Sequence, residues 1–362
     1  MWFYSTNTVK RQDLKVRYKR IIVSKCGGPE NLQLIDEEIP EPSADEARVK
    51  ILFTGVSLAD ILMREGVHPE SIFKRGPFSL GWDIVGTIDK LGENAAISSA
   101  WQIGDIVAAL PIVGGYAQYL CIPANQLVPV PAGMDYAEAV SIVLNYTTAY
   151  QMLFRCAQIR SGERILVHGA AGGVGTALLQ LGKLYGLEMY GTCSRSKEKV
   201  VIDLGAKPID YKSVDFVQEI FKLTGNGVDA AFDGFGTKSL LRSHKTLRAG
   251  GRLIGYGFGS TSRNGHGRVH EIVSNLVNWI NVLTLNLKPG KRKVIPYSIQ
   301  TLKRRKPDWF REDLSTLFNL LKQDKIKPII AARIPLEEAI EAHQMLEAGS
   351  VTGKIVLICN SQ

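Results

Sequence analysis

The segment RILVHGAAGGVGTALLQLGKLYG, at 164–186, carries the clearest chemical spacing in the chain. An apolar run typical of a strand leads into a glycine-rich turn and then into an amphipathic helix. Gly172 and Gly175 fit the second and third glycines of a dinucleotide-binding turn, and Ala170 stands where the first usually lies. Small residues suit this place because the backbone must approach a pyrophosphate at the helix N-terminus; a tight turn without a ligand is the alternative. The residues predicted to bind the dinucleotide are Ala171, Gly172, Gly173 and Val174.

The next predicted strand ends in GTCSRSKEK, at 191–199. Sites for NAD usually place an acidic residue there to accept hydrogen bonds from the ribose hydroxyls. This chain instead offers Ser194, Arg195 and Lys199, a cationic set that suits a 2′-phosphate. The sequence therefore predicts NADPH rather than NADH as the cofactor. The alternative is that Lys197 and Lys199 are solvated helix residues.

The composition is that of an ordinary globular protein. The chain has 362 residues, of which 45% are hydrophobic and 22% charged, which excludes a wholly disordered chain, a collagen and a disulfide-stapled miniprotein. Its five cysteines are scattered without a CxxC pair, so we expect free thiols in a reducing compartment. No apolar run approaches the ~20 residues that span a bilayer, and the first residues lack a signal peptide's apolar core. We expect a cytoplasmic location.

The net charge of +9 is concentrated in two segments. Residues 1–20 contain six Lys or Arg against one Asp, and residues 286–306 contain eight and no acid. Such segments can attract an anionic membrane surface or a nucleic acid; a solvated basic surface is the alternative. Because no RNA-recognition motif is present, a nucleic acid is not the expected partner, and a weak membrane contact stays open.

The elements that must position these residues fall into two groups. After an N-terminal extension at 1–17, the segment 18–131 contains many short strands separated by Gly or Pro, which is typical of a barrel-like β domain. From 164 to 257 strands alternate with helices, which predicts a parallel, doubly wound sheet. Helices are predicted near 310–348, and a last strand at 354–359. The segment VNWINVLTLNL, at 277–287, is predicted to be an edge strand used in dimerisation.

A series of motifs in this order resembles a known family. The motifs are GGPENLQL, GVSLADILMREG, LGWDIVGTI, GDIVAAL, NYTTAYQMLF, VHGAAGGVG, LGAKPIDY, GGRLIGYG and VTGKIVL. Over about 18–360 the chain resembles the medium-chain dehydrogenase/reductases, and within them the zinc-independent quinone oxidoreductase branch. VLNYTTAYQMLF and DKIKPII are most similar to the vesicle amine transport protein-like subgroup.

The resemblance implies an α/β architecture with two domains. A GroES-like β-rich domain is expected at 18–140, completed by about 310–362. A Rossmann domain with a doubly wound parallel sheet is expected at 141–309, with NADPH in the cleft between the two. Members of this family are commonly homodimers, so a homodimer is expected here.

The resemblance also bears on metals. The zinc-dependent relatives place a Cys in the segment that matches 57–60, which reads Ser-Leu-Ala-Asp here. They place a His-Glu pair after the glycine that matches Gly81, and this chain has Trp82 and Asp83 there. No Cys lies at 90–110, where the relatives' structural zinc lobe would be. We therefore expect no metal site.

The expected catalytic residues follow from the same resemblance. The quinone reductases carry an Asn, an acid and a Tyr near the nicotinamide where this chain has Ser57, Asp60 and Leu62. Ser57 can still donate a hydrogen bond, Leu62 cannot replace a Tyr hydroxyl, and Asp60 is either a site acid or a helix first-turn acid. Tyr146, also expected to be catalytic, and Thr148 match positions that face the nicotinamide, with core packing as the alternative. Further expected cofactor contacts are Lys199, Tyr211, Phe235, Tyr256, Gly257, Phe258 and Lys354.

The expected activity is hydride transfer from NADPH, without a metal, to a small-molecule electron acceptor such as a quinone, an enone or a related carbonyl compound. The alternative is a nucleotide-binding sensor or a membrane-associated protein with little turnover. Two features motivate that alternative. Leu62 cannot replace the Tyr hydroxyl of the quinone reductases, and the basic segments can attract an anionic membrane surface.

Overall fold

The computed structural model describes residues 16–72, 76–98, 100–256, 279–287 and 291–360. Most of the predicted extension, and Gly257 and Phe258, lie outside these residues. The strands are β1 (Arg17–Val23), β2 (Leu32–Glu38), β3 (Glu46–Val56), β4 (Ile84–Leu91), β5 (Ile106–Ala109), β6 (Tyr119–Pro123), β7 (Val128–Pro129), β8 (Arg164–Val167), β9 (Glu188–Cys193), β10 (Lys207–Asp210), β11 (Val228–Asp233), β12 (Leu247–Gly255), β13 (Lys293–Pro296), β14 (Ile330–Pro335) and β15 (Lys354–Ile358).

Helices join these strands. They are α1 (Leu58–Glu65), α2 (Pro69–Ile72), α3 (Glu93–Ser98), α4 (the consecutive pieces Tyr136–Ser141, Ile142–Tyr146, Thr147–Tyr150 and Gln151–Cys156), α5 (Gly173–Leu184), α6 (Glu198–Asp203), α7 (Phe216–Thr224), α8 (Thr237–Lys245), α9 (Ile299–Arg305), α10 (Pro307–Lys322) and α11 (Ala339–Glu347). Short 3₁₀ turns lie at Pro29–Asn31, Ala124–Gln126, Arg195–Lys197, Thr284–Leu287 and Leu336–Glu338.

The first large sheet joins strands from both ends of the described chain. Its order is β14-β15-β3-β4-β5-β7, with β6 also paired to β3, while β1 and β2 form a separate two-stranded sheet. Strand β15 runs antiparallel to β3, with Ile355 opposite Val56. The sequence motifs of 354–359 therefore end in the same sheet as those of 46–91. We propose the domain boundaries 18–140 with 310–362, and 141–309, on this sheet membership.

The second large sheet has six strands in the order β10-β9-β8-β11-β12-β13, and all neighbouring pairs are parallel. Counted from β8, this is the order 3-2-1-4-5-6 of a doubly wound dinucleotide-binding sheet. Every residue of β11 is buried, as expected for a central strand covered by helices on both faces. The predicted α/β class, a GroES-like part plus a Rossmann sheet, is confirmed.

Helix α4 connects the two sheets. Its first turns pack on β3, β4, β14 and β15, and its later turns pack on α5 and α10. The pieces Ile142–Tyr146 and Gln151–Cys156 are π-helical. Such widened turns shift side chains relative to an ideal α-helix and are frequent at functional sites. The apolar pattern predicts this helix; its π-helical pieces have no signal in that pattern.

The predicted edge strand at 277–287 is wrong in its described part. Residues 279–283 are helical and Thr284–Leu287 form a 3₁₀ turn. Val282 and Leu285 are buried and Trp279 packs beside them, which is a spacing of three that suits a helix and not a strand. The edge strand of the six-stranded sheet beside β12 is β13, which the sequence interpretation missed.

The basic segment is not wholly a solvated surface. The Lys303 ammonium donates hydrogen bonds to the Leu110 carbonyl oxygen at 2.8 Å and to Gln126 Oε1 at 2.9 Å. Burial lowers the pKa of Lys303 to about 8. The Trp309 ring lies near two cations, with Arg155 Cζ at 4.6 Å and Lys306 Nζ at 5.7 Å from its centroid. Part of this charge therefore anchors α9 and α10.

Candidate cofactor and active site

The glycine turn between β8 and α5 forms a cradle for an anion. Gly172 is the N-cap of α5, with φ −80° and ψ 176°, and no side chain caps the helix. The first amide groups of a helix lack partners within the helix, so they are available to a phosphate. A Cβ on Gly175 would lie 2.2 Å from the Gly169 carbonyl oxygen, which explains the glycine there. These residues fit the pyrophosphate of a dinucleotide.

The segment before β15 closes this turn. The Gly353 amide donates to the Ala171 carbonyl oxygen at 2.9 Å, and Gly172 and Gly353 form a parallel bridge. On the other side, a Cβ on Gly173 would lie 2.2 Å from Asn145 Nδ2. Sequence reasoning missed Asn145; its only signal was a polar residue in the apolar run of α4. The turn is thus lined by α4 and by the returning segment.

The predicted phosphate pocket lies where β9 ends. Ser194 Oγ lies 3.1 Å from Ser196 Oγ, and Arg195 is exposed without an ion-pair partner among the described residues. Lys197 is not a solvated residue: its ammonium donates to the carbonyl oxygens of Gly349 at 2.7 Å and Val351 at 2.6 Å. Burial lowers the pKa of Lys197.

Lys199 occupies a different environment from its neighbours. Its side chain is 86% exposed and pairs with Asp203 at 3.0 Å, one helical turn away. This is the solvated alternative that the sequence left open. A phosphate contact of Lys199 stays a prediction.

Three aromatic residues follow the carboxyl ends of the parallel strands, where ligands of this fold bind. Tyr211 follows β10 and Phe235 follows β11, and both are more than half exposed. The Phe235 ring lies 3.2 Å from the place of a Cβ on Gly169, so it borders the glycine turn. Tyr256 follows β12, and burial raises its pKa. Their cofactor contacts stay predictions.

Ser57 and Asp60 form the capping box of α1. Ser57 Oγ donates to Asp60 Oδ2 at 2.6 Å, and the Ser57 amide donates to the same oxygen at 2.9 Å. Asp60 Oδ1 accepts from the Gly81 amide at 2.9 Å. The first-turn role left open by the sequence is therefore present, and a catalytic role of either residue stays a prediction. Burial raises the pKa of Asp60 to about 6, against the opposing effect of these hydrogen bonds.

Helix α1 is also fixed at its other end. The fully buried Arg64 pairs with Glu347 at 2.6 Å, and its Nη1 lies 3.3 Å from His343 Nδ1. His343 Nε2 lies 3.1 Å from the Tyr116 hydroxyl oxygen. Burial lowers the pKa of His343 to about 3, so the imidazole stays neutral beside the guanidinium. This network holds α1 against α11.

Lys354 lies in a buried ion pair. Its Nζ is 2.9 Å from Asp83 Oδ2, and the two side chains are 3% and 0% exposed. Asp83 Oδ1 also accepts from the Gly55 amide at 3.1 Å, and a Cβ on Gly55 would lie 2.2 Å from Lys354 Cε. Lys354 is therefore not a solvated side chain. Its contact with a cofactor stays a prediction.

Tyr146 lies in the first π-helical piece of α4. It is 2% exposed, and its hydroxyl has no hydrogen-bond partner among the described residues. Burial raises its pKa. Thr148 lies two residues further along and interacts with the Tyr297 hydroxyl, which donates to Gln151 Oε1 at 2.8 Å. A buried hydroxyl without a partner is unusual. A contact of Tyr146 with a ligand stays a prediction.

The positions that match zinc ligands in relatives carry other chemistry. Ser57 caps a helix, Trp82 offers an indole N–H, and Asp83 is paired with Lys354. Within the described part of the chain, no group of three or more His, Cys, Asp or Glu side chains is placed to hold a metal ion. In the same residues, no helix has both the length and the apolar character needed to cross a bilayer.

Comparisons with known proteins match two parts of the chain. A family model described as alcohol dehydrogenase GroES-like domain matches residues 43–132, and one described as zinc-binding dehydrogenase matches residues 204–357. The chain is 29% identical over 340 residues to synaptic vesicle membrane protein VAT-1 of Tetronarce californica, covering 92% of this chain and 86% of the relative. It is 29% identical over 348 residues to quinone oxidoreductase of Homo sapiens, covering 94% and 97%.

Solved structures are also similar to this chain over nearly its whole length. Escherichia coli quinone oxidoreductase complexed with NADPH superposes with a TM-score of 0.82 at 27% identity, over 94% of this chain and 99% of that one. A mycobacterial protein complexed with NADPH gives 0.80 at 28% identity, over 94% and 99%. Matched domains, relatives and sheet order together show that the chain belongs to the medium-chain dehydrogenase/reductase family.

Proposed function

We propose that this protein is a metal-free, NADPH-dependent reductase of the quinone oxidoreductase branch that transfers hydride to a quinone, an enone or a related carbonyl compound. The observation that carries the proposal is the uncapped N-terminus of α5 at a glycine turn that Gly353 closes. Relatives and structural neighbours named quinone oxidoreductase support the reaction class.

NADPH is proposed over NADH because no acidic residue follows β9 and Arg195 stands there without an ion-pair partner among the described residues. A guanidinium binds a phosphate by charge-assisted hydrogen bonds. Two structural neighbours were solved with NADPH. Ala171, Gly172, Gly173 and Val174 would hold the pyrophosphate, and Ser194 and Arg195 the 2′-phosphate.

The chain's own residues would position the acceptor. When bound, the cofactor supplies a hydride to an electrophilic carbon of the acceptor. The Tyr146 hydroxyl, which is buried and has no hydrogen-bond partner among the described residues, would donate to an acceptor oxygen. Ser57 and Asp60 would set the position of α1 and of Gly81 at the edge of the site. Positioning of the two reactants would supply much of the rate.

The test is a fluorescence titration of the purified protein with NADPH and NADH, followed by absorbance at the reduced-nicotinamide band after a small quinone is added. We expect tighter binding of NADPH and oxidation that depends on the quinone. In Arg195→Ala, NADPH affinity should fall roughly 10- to 100-fold while NADH affinity is unchanged, because only NADPH carries the phosphate. Lys199→Ala, on the neighbouring helix, tests the exposed lysine in the same way. Equal loss of both cofactors in Arg195→Ala would contradict the phosphate pocket.

A nucleotide-binding sensor with little turnover is the second candidate. The basic segments and the relative named a synaptic vesicle membrane protein favour it. It predicts tight NADPH binding without oxidation across quinones and enones. It also predicts binding to anionic vesicles that weakens as salt rises.

A homodimer in the cytoplasm is proposed for the assembled protein. The family resemblance supports the homodimer. Strand β13, one of the two edge strands of the six-stranded sheet, is already occupied at Val294, whose amide and carbonyl are hydrogen-bonded to the Asn286 side chain. The five cysteines are free thiols, which suits a reducing compartment. Sedimentation velocity of the full chain measures the oligomeric state.

A further inference from the structure

Trp82 presents a second buried hydrogen-bond donor that lacks a partner in the described part of the chain. Its side chain is 4% exposed, and its Nε1 has no hydrogen-bond partner among the described residues. Buried polar groups are nearly always satisfied, because leaving one unpaired costs stability. An indole N–H can only donate, so a ligand that satisfies it must present an acceptor atom.

The backbone on both sides of Trp82 is held by the groups that build the site. The Gly81 amide donates to Asp60 Oδ1, and Asp83 forms the buried pair with Lys354. Gly81 has φ 101°, and a Cβ there would lie 2.6 Å from the backbone of Gly115. Residues 81–83 therefore have little freedom to move.

The indole ring itself is also fixed. The His68 ring meets it edge to face, with centroids 5.3 Å apart. A donor whose ring and backbone are both held costs little reorganisation when charge develops on its partner. Trp82 thus has the properties of a preorganised donor and not of a surface aromatic.

We propose that Trp82 Nε1–H donates a hydrogen bond to the carbonyl oxygen of the acceptor, and so selects acceptors whose carbonyl is conjugated to the carbon that receives hydride. This inference rests on the proposed reductase function. When hydride adds to the β-carbon of an enone, the C=C electron pair moves toward the carbonyl and the oxygen becomes an enolate oxygen. The indole N–H stabilises that oxygen without giving up its proton, and solvent protonates the α-carbon.

The variant Trp82→Phe removes the N–H and keeps an aromatic ring beside His68. We expect kcat/KM for cyclohexenone and for a small quinone to fall on the order of 10²-fold, as when one oxyanion donor is removed. NADPH affinity should be unchanged. The melting temperature should be equal or higher, because an unsatisfied buried donor has been removed.

Trp101→Phe is the matched control. Trp101 Nε1 donates to the Ala124 carbonyl oxygen at 3.0 Å, so this variant should lower the melting temperature and leave kcat/KM unchanged. If Trp82→Phe keeps wild-type kcat/KM, or loses NADPH binding and stability together, the Trp82 role is overturned while the reductase function stands. A wild-type protein without turnover overturns both.

A second measurement needs only the wild-type chain. The chain has five Trp, so a ¹⁵N-labelled sample gives five indole N–H signals. With NADP⁺ and the unreactive ketone cyclohexanone, we expect one indole proton to shift downfield as the carbonyl accepts its hydrogen bond. If no indole signal moves on saturation with the ketone, the proposal fails.

Discussion

At the scale of single residues, Asp60 combines an unusual burial with complete hydrogen bonding. Its two oxygens fix the start of α1 and the Gly81 amide, yet burial still disfavours its charge. Asp60 therefore fixes the geometry of the site, but its burial lowers the free energy of unfolding when the carboxyl group is charged. The size of this loss depends on pH.

The folded-state pKa of Asp60, about 6, lies above its ordinary value of 3.8. Between pH 4 and 6 the folded chain binds this proton more tightly than the unfolded chain, so the free energy of unfolding falls as pH rises, by about 3 kcal/mol across the window. Asp60→Asn should lose this dependence. Denaturant unfolding of both proteins at pH 4 to 7 measures it, with the exposed Asp203→Asn as control. A stability difference between wild type and Asp60→Asn that is constant with pH would contradict the assignment.

The buried pair of Lys354 and Asp83 gives a second residue-scale prediction. Lys354→Met should lower the free energy of unfolding by about 3–5 kcal/mol, because it leaves the Asp83 charge buried and unpaired. Asp83→Asn with Lys354→Met should recover part of that loss. Lys199→Met removes a lysine that is largely exposed and should change stability by less than about 0.5 kcal/mol. Equal effects of the two lysine variants would contradict the pair's structural importance.

The residues of the proposed nucleotide site could be predicted from the sequence, but most of the contacts they make could not. The glycine turn has a local signature, because its spacing reflects backbone approach. Lys197 and Asn145 have no such local signature, because the residues they contact lie elsewhere in the chain. Lys197 contacts Gly349 and Val351, and Asn145 lies beside Gly173. In the sequence Trp82 stands out only as the replacement of a metal ligand. That its N–H has no partner among the described residues appears only in the packed structure.

At the scale of elements, α9 is anchored by an unusual contact. The Lys303 ammonium lies between two neutral oxygens, the Leu110 carbonyl just after β5 and Gln126 Oε1 in the 3₁₀ turn after β6. Burial depresses its pKa, so the charged form is disfavoured in the folded state relative to the unfolded state. The contribution of Lys303 to the free energy of unfolding therefore rises in alkaline solution.

The corresponding prediction concerns pH 8 to 10.5. In this window the unfolded chain keeps the Lys303 proton and the folded chain releases it, so stability attributable to Lys303 rises with pH. The wild type should gain stability relative to Lys303→Met as pH rises through this range. Thermal melts at pH 7.5, 8.5 and 9.5 measure the difference, with Lys322→Met on α10 as control. A difference that shrinks with rising pH would be the contrary result.

Some element boundaries follow local patterns, and others, among them β13, do not. Gly66, with φ 79°, ends α1 in the left-handed conformation that favours glycine. The segment 277–287 alternates enough to suggest a strand, but burial at Val282 and Leu285 requires a helical turn. Helix α9 was missed although Ser298 caps it, because its apolar face consists of only Ile299 and Leu302.

At the scale of the whole molecule, the segment 349–353 fastens the two sheets together. Lys197 holds two of its carbonyl oxygens, Gly353 bonds to Ala171, and β15 follows directly in the first sheet. The cofactor turn is therefore completed by residues that belong to the other sheet. The sequence alone could not show this, because the contact joins residues about 180 positions apart.

Gly353→Ala tests this closure. Gly353 has φ 79°, and a Cβ there would lie 2.1 Å from the Ile329 carbonyl oxygen. Gly349 has φ 69° with open space around it, so Gly349→Ala carries the backbone strain without the clash. We expect Gly353→Ala to lower both melting temperature and NADPH affinity more than Gly349→Ala does. Equal NADPH affinity in the two variants, by fluorescence titration, would contradict the role of the segment in the cofactor turn.

The placement of β15 beside β3 has a consequence for synthesis. Strand β3 leaves the ribosome roughly 300 residues before its neighbour, which at about 5–20 residues per second is a wait of some 15–60 s. During that interval β6 can already pair with Glu46–Lys50, but the Phe53–Val56 end of β3 lacks the partner that β15 supplies, and such open edges invite association with other chains. The nascent protein should therefore depend on chaperones until β15 emerges, even though its glycine turn is translated early.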